Sequence, residues 1–125
     1  MRALVVHEPG LLDLVEVTQP SYGPYEALVE ILTCSICSGT DTHIIDGVFP
    51  WATYPCILGH ESVGRVVACG QEVRSFRPGE LVLRPVAVRP GERLDGYDSA
   101  FGGFAEYGVV ADTQAIIENA MRDQD

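Results

Sequence analysis

Residues 59–69 read Gly-His-Glu-Ser-Val-Gly-Arg-Val-Val-Ala-Cys, and the fold is best approached from this stretch. From Ser62 onward the segment is apolar and rich in valine, which is typical of a β-strand. Gly64 interrupts it, and an isolated glycine inside a strand indicates a bulge or a close approach of another backbone. His60 and Glu61 come just before the strand, and both side chains are able to bind a metal ion.

Similar short apolar segments lie on both sides of this stretch. Strands are predicted over residues 2–7, 11–18, 26–33, 62–69, 81–88, 104–110 and 114–118. The 13 glycines and 8 prolines separate them, and residues 89–103 are predicted to form a glycine- and charge-rich loop. Residues 34–56 lack periodicity and read as a loop with a helical turn over 41–45. A chain of this length fits one domain, and many short strands with little helix predict a mainly β, closed or partly open barrel.

The charge balance excludes several classes of partner. Eighteen acidic side chains against eight basic ones give a net charge of -10. Such a surface repels phosphate groups and anionic lipids, so we expect neither nucleic acid nor membrane as a partner. No stretch approaches the ~20 apolar residues that span a bilayer. The apolar run at residues 3–6 is too short for a signal peptide, and a cytoplasmic protein is therefore expected.

Four cysteines, Cys34, Cys37, Cys56 and Cys69, are predicted to be reduced thiols or metal ligands rather than disulfides. Cys34 and Cys37 form a Cys-x-x-Cys pair, which could mark a redox dithiol or half of a zinc knuckle. No second pair completes a knuckle and no βαβ pattern surrounds the pair. Cys34, Cys56 and Cys69 are therefore interpreted as structural residues.

The candidate chemistry lies in Cys37-Ser38-Gly39-Thr40-Asp41-Thr42-His43 and Gly59-His60-Glu61. A thiolate, an imidazole and a carboxylate are all zinc ligands, and three protein ligands with one water make the usual catalytic zinc site. Bound zinc acts as a Lewis acid that lowers the pKa of an alcohol. Each residue alone has an ordinary structural explanation, since Cys37 could be a small buried residue and His60 a core or surface histidine. The prediction of a site rests on their joint occurrence.

Further motifs follow in a fixed order along the chain: Tyr54-Pro55, Val63-Gly64-x-Val66-Val67, Gly70-x-x-Val73, Phe76-x-Pro78-Gly79-Glu80-x-Val82 and Gly102-Gly103-Phe104-Ala105-Glu106-Tyr107. Together with the two site motifs they resemble the N-terminal, GroES-like catalytic domain of zinc-type medium-chain alcohol dehydrogenases. The resemblance covers nearly the whole chain. It implies a partly open GroES-like β-barrel with short helical turns over residues 1–118. Residues 119–125 would be a polar tail that frays and begins a linker to a nucleotide-binding domain.

The resemblance also implies a role for each site residue: Cys37 and His60 as zinc ligands, Glu61 as a carboxylate that can approach or leave the metal, Thr40 and His43 as a path for the substrate's proton, and Asp41 as a hydrogen-bond partner of His60. The remaining zinc ligand would come from outside these residues. No Gly-x-Gly-x-x-Gly follows a strand here, so NAD or NADP would bind to a separate domain. The implied activity is interconversion of a small alcohol and its aldehyde or ketone by a homo-oligomer, with the 125 residues alone inactive.

Two departures from the family pattern carry expectations of their own. Ser38 lengthens the usual Cys-Gly-Thr-Asp by one residue, as in some zinc-free relatives, and this keeps a zinc-free quinone-oxidoreductase-like reductase as an alternative. No cysteine follows Cys69, so no structural zinc site is expected and residues 86–103 would form a shorter loop. A GroES-like barrel without catalysis, either stand-alone or self-associating, is the other alternative.

Three aromatic residues follow the site loop. Phe49 and Trp51 could line a substrate pocket, since apolar walls suit small organic ligands, or could simply cover the end of the barrel. For Tyr54 the covering role is the favoured interpretation.

Overall fold

A computed structural model describes residues 1–124 of the chain. In chain order these residues form β1 (Arg2–Glu8), β2 (Leu11–Glu16), β3 (Glu26–Ser35), α1 (Thr40–Asp46), β4 (Cys56–Leu58), β5 (Glu61–Cys69), β6 (Leu81–Leu83), β7 (Arg93–Leu94), β8 (Tyr97–Ala100), β9 (Tyr107–Ala111) and α2 (Thr113–Arg122). Neither helix within residues 1–124 is long and apolar enough to cross a membrane.

The strands are arranged in two sheets. One sheet has the order β2-β1-β4-β8-β7 and the other has the order β6-β5-β3-β9. Neighbouring strands are antiparallel, apart from the parallel pair β4 and β8. Strand β3 is the longest, with ten residues, and it pairs with β5 on one side and β9 on the other. The sheets do not close on themselves, which confirms the predicted mainly β, partly open barrel.

The core fixes helix α1 against the first sheet. Ile44 of α1 is fully buried and packs with Val6 of β1 and with Cys56 and Leu58 of β4. Burying one such side chain stabilises the fold by about 1.5–3 kcal/mol. The helix that carries Thr40, Asp41 and His43 is therefore anchored to the barrel rather than free in a loop.

Gly64 lies at the predicted irregularity of β5. The pairing of β3 with β5 shifts register between Ile31 and Thr33, opposite Gly64. A Cβ on Gly64 would lie 2.6 Å from the carbonyl oxygen of Glu30, closer than real Cβ atoms approach. The glycine thus permits a close approach of two backbones, as the sequence predicted.

Two predicted boundaries between residues 81 and 103 are wrong. The strand predicted over 81–88 ends at Leu83, because Arg84 has a positive φ of 57° that a strand cannot continue through. Residues 89–103 are not a continuous loop, since they contain β7 and β8. These two strands form a hairpin whose turn residues, Asp95 and Gly96, have φ values of 52° and 84°.

The strand predicted over 114–118 is wrong, because these residues belong to helix α2. Asp112 caps the helix, and its side chain accepts a hydrogen bond from the backbone N–H of Ala115. Ala115 and Asn119, four positions apart, form the buried face. Residues 119–122 of the predicted polar tail belong to this helix, with Asn119 buried, while Asp125 lies outside the described residues.

Candidate metal centre

The loop before α1 is held by Asp41. The Asp41 carboxylate is fully buried, and its Oδ2 accepts a hydrogen bond from the backbone N–H of Cys37 at 2.8 Å. In return the backbone N–H of Asp41 donates to the Cys37 carbonyl at 3.1 Å. The extra residue, Ser38, is exposed in the turn between these two contacts. The insertion thus bulges outward and leaves Cys37 in a fixed position.

The Cys37 thiol lies in a polar environment that favours its charged form. The backbone N–H of Thr40 donates to Cys37 Sγ at 3.4 Å, and this contact, followed by that of Gly39, lowers the pKa of the Cys37 thiol. Peptide N–H groups stabilise the negative sulfur in the same way as they stabilise any anion at a helix N-terminus. The thiolate is the form that binds metals.

His60 and Glu61 are positioned by the start of β5. Gly59, with a φ of 111°, brings the chain against Phe104, where a Cβ would lie 2.7 Å from the Phe104 backbone nitrogen. Only glycine fits this approach without a shift. The His60 side chain is 17% exposed and its Nε2 lies 3.8 Å from Oε1 of Glu61.

The other imidazole nitrogen faces Asp41. Nδ1 of His60 is 3.4 Å from Oδ1 of Asp41, and both atoms are buried without a hydrogen-bond partner. Buried polar atoms are seldom left unpaired, because each costs about 1–3 kcal/mol. A proton held on Nδ1 would pair the two atoms and leave Nε2 with a free lone pair towards Glu61.

Three ligand atoms converge at this point. One donor atom each from Cys37, His60 and Glu61 lie within 4.8 Å of one another. Ligands of a tetrahedral zinc ion are roughly 3.5 Å apart, so the three groups need to move inward by about 1 Å to share one ion. The residues fit zinc by donor type, by proximity and by the carboxylate behind His60, an outer partner that metal-bound histidines typically have.

The two residues assigned to proton transfer lie on α1, one turn apart. Thr40 is partly buried at the start of the helix, and its hydroxyl is close enough to Cys37 to contribute to the lowered pKa of the thiol. His43 is exposed on the next turn. Side chains three positions apart on a helix share a face, so Thr40 and His43 lie on the same side of α1, with His43 more exposed to solvent.

The Cys34-x-x-Cys37 pair is divided between two environments. Cys34 is the last residue but one of β3 and is half-buried, and burial raises the pKa of its thiol to about 11, opposite to the shift at Cys37. Burial likewise raises the pKa of Cys56 to about 11 and raises that of Cys69. All four thiols are free, as predicted. Cys34 has the environment of a structural thiol rather than of a reactive one.

One aromatic neighbour of the cluster was not singled out in the sequence. The ring of Phe101 lies 5.1 Å from the imidazole of His60, centroid to centroid. Its backbone φ of 77° is rare for a residue with a side chain, and such conformations are concentrated at functional sites. Nothing in the local sequence distinguishes Phe101, because its contact with His60 depends on the parallel pairing of β4 with β8.

The comparisons with known proteins agree with this architecture. Residues 23–119 match the sequence profile of the alcohol dehydrogenase GroES-like domain. The chain belongs to this family. The resemblance to an N-terminal domain of medium-chain dehydrogenases is thereby confirmed, and the domain is part of an oxidoreductase family.

Similar proteins include whole dehydrogenases. An alcohol dehydrogenase from Cupriavidus necator is 42% identical over 83 residues, which is 66% of this chain and 22% of that protein. The starvation-sensing protein RspB from Escherichia coli K12 is 34% identical over 99% of this chain and 41% of its own length. The structure of glucose dehydrogenase from Haloferax mediterranei, in complex with NADP, Zn and gluconolactone, superimposes with a TM-score of 0.68 at 25% identity, over 90% of this chain and 37% of that chain. The domain therefore spans less than half the length of each of these proteins.

Proposed function

We propose that Cys37, His60 and Glu61 hold a catalytic zinc ion in the catalytic domain of an NAD- or NADP-linked oxidoreductase that interconverts an alcohol and an aldehyde or ketone. The observation that carries the proposal is the convergence of three donor atoms within 4.8 Å, with the orphaned Oδ1 of Asp41 behind His60. The glucose dehydrogenase that shares this fold is described with NADP and Zn, which supports the same pair of cofactors here.

In this proposal each residue of the site has a separate role. When bound, zinc would supply a Lewis acid and the nicotinamide a hydride acceptor. Asp41 holds the proton of His60 on Nδ1, which keeps Nε2 available as a ligand. The Thr40 hydroxyl accepts the proton of the substrate's hydroxyl group while it gives its own proton to His43, which passes a proton to solvent. Glu61, whose side chain is 46% exposed, is free to approach or leave the cluster.

The nicotinamide would bind to a separate domain, since no dinucleotide fingerprint occurs in the 125 residues. The chain alone is then expected to bind zinc without turnover. Four free thiols are compatible with the cytoplasmic location that the sequence predicts.

Metal analysis of the purified chain tests the proposal. We expect about one zinc per chain, lost in Cys37→Ser and in His60→Ala, because each change removes one of the ligands. Asp41→Asn should retain zinc but bind it about 10–100-fold more weakly, since it removes no ligand but weakens the contacts of Asp41 with His60 and with the Cys37 N–H. Cys69→Ser is the matched control, a partly buried thiol outside the cluster, and should keep full zinc.

Two results would contradict the proposal. Full zinc occupancy that survives both ligand changes would place the metal elsewhere. A folded wild-type chain that takes up no zinc at all would favour the alternative of a zinc-free reductase.

A second function is favoured by the edge of the first sheet. We also infer that the domain associates with itself through β2. This strand lies at the sheet edge, and its Leu11, Leu12 and Leu14 are 49%, 43% and 60% exposed. Long apolar edges with open N–H and C=O groups pair readily with a second strand.

A further inference from the structure

An apolar cleft lies next to the candidate metal centre. It has a volume of about 340 Å³ and is bounded on one side by Ile44 of α1 and by Phe49 and Trp51 of the following loop. Pro90 and Phe101 bound it on the other side. The cleft therefore opens between the helix that carries Thr40 and the segment that covers His60.

Phe101 lies between the cleft and His60 of the metal centre. Its ring lines the cleft and also lies 5.1 Å from the imidazole of His60. Ile44 lines the same cleft one turn beyond Thr40 and Asp41 on α1. A molecule seated in the cleft would thus contact the residues that surround the cluster.

The lining selects against polar molecules. No charged side chain lines the cleft, and its single hydroxyl side chain is Ser99. That hydroxyl already donates to the carbonyl of Val88 at 2.8 Å, so it has no proton left for a ligand. A polyol would have to bury hydroxyl groups without partners, and each unpaired group costs free energy.

The aromatic walls and the size suit an aromatic ring. Phe49 and Trp51 meet edge to face at 5.6 Å, an arrangement that a third ring can extend. Trp51 is 82% exposed, so its large apolar surface is available for burial. A cavity of about 150 Å³ already holds benzene, so this cleft has room for a ring with a short substituent.

We propose that the cleft binds the ring of a small aromatic alcohol or of its aldehyde, with the oxygen-bearing carbon directed past Phe101 towards His60. The inference rests on the proposed function and names its substrate class. It predicts that aryl alcohols bind and that polyols of similar size do not.

Trp51 is the only tryptophan of the chain and lines the cleft, so its fluorescence reports binding without any turnover. Benzyl alcohol is the probe, and xylitol is the polar control. We expect a saturable change in Trp51 emission with benzyl alcohol and none with xylitol. Phe101→Ala and Phe49→Ala should each weaken binding roughly three- to tenfold, because each removes one ring contact.

Leu83→Ala is the matched control, an equally apolar residue that is 73% exposed on β6 and outside the cleft, and it should bind as the wild type does. Phe49→Ala keeps the test decisive if circular dichroism shows that Phe101→Ala does not fold. A non-saturable response, an equal response to xylitol, or unchanged affinity in a folded ring variant would overturn the proposal.

The same preparations are titrated as purified and after removal of metal with EDTA. Saturable benzyl alcohol binding by a folded chain that takes up no zinc, either as purified or when zinc is added back, would support the cleft while refuting the metal site. A chain with one zinc that fails to bind benzyl alcohol would refute the cleft and leave the metal site standing.

Discussion

Gly64 lies where β5 passes close to β3, and the same strand begins at Glu61 of the candidate site. A methyl group on Gly64 would lie 2.6 Å from the Glu30 carbonyl oxygen and would also strike Cγ1 of Val29. Both obstacles belong to the central strand and cannot move aside cheaply.

Gly64→Ala is therefore expected to lower the free energy of unfolding by about 1–3 kcal/mol, measured by urea denaturation. Val67→Ala, at a half-exposed position of the same strand, should change it by about 0.5 kcal/mol or less. Equal urea midpoints for the two variants would contradict this expectation, because they would show that β3 and β5 can move apart at Gly64 at little cost in free energy.

At the same scale, the sequence indicated which residue types form the cluster but not how they are held. One extra residue, Ser38, can either rotate the loop and move Cys37 or bulge out of the loop and leave Cys37 in place. The outcome depends on the buried Asp41, whose Oδ2 fixes the Cys37 N–H. Phe101 could not have been predicted, since its contact with His60 joins residues 41 positions apart through a parallel strand pair.

Helix α2 depends on a single buried carboxylate. Asp112 is 1% exposed, and burial alone would raise its pKa. Hydrogen bonds from the backbone N–H groups of Arg74, Ala115 and Ser75 outweigh burial and lower the pKa of Asp112 well below its usual range. Asp112 thus joins α2 to residues 74–75 as well as capping the helix.

Asp112→Asn should reduce the free energy of unfolding by about 2–4 kcal/mol at neutral pH, because an amide nitrogen cannot accept hydrogen bonds that the carboxylate oxygen accepts. The folded-state pKa is lowered, so the stabilisation is fully present above the ordinary aspartate value of 3.8. It is lost as the pH falls below that value through the folded-state pKa.

Urea denaturation at a series of pH values tests this expectation. The difference in free energy of unfolding between the wild type and Asp112→Asn should become smaller as the pH falls below 3.8. Asp123→Asn, an exposed carboxylate at the end of the same helix, is the control and should follow the wild type at every pH. A difference in free energy of unfolding that does not change with pH would mean that the ionised form of Asp112 is not what stabilises the fold.

The elements that the sequence predicted correctly are those with a strong local pattern. The apolar runs predicted β1, β3 and β5, and the irregular, glycine-containing segment predicted the helical turn that became α1. Two of the errors have local causes. Ile116 and Ile117 favour a strand over residues 114–118. The helix is indicated instead by its capping residue, Asp112, which lies outside that segment. Asp95-Gly96, a common two-residue hairpin turn, was hidden within a charge-rich segment, and β7 and β8 were missed with it.

For the whole molecule, the open edge of the first sheet and the acidic surface have opposite effects on self-association. The net charge of -10 opposes association of two copies, while the leucines of β2 favour it. An antiparallel pair of β2 strands centred between Asp13 and Leu14 would place Asp13 opposite Leu14 and Glu16 opposite Leu11. No two carboxylates would then face each other directly, so the remaining repulsion is long-range and screened by salt.

Sedimentation velocity over a range of chain concentrations tests this association. We expect the mean mass to rise from that of the monomer towards twice that value, and to rise further when salt is added, because screening weakens repulsion but not apolar contact. Leu14→Lys should abolish the rise by adding a charge to the edge strand. Met121→Lys adds the same charge at a similarly exposed apolar position of α2 and should associate as the wild type does. A strict monomer at high concentration would contradict self-association through β2. Identical behaviour of the two lysine variants would exclude β2 as the contact surface.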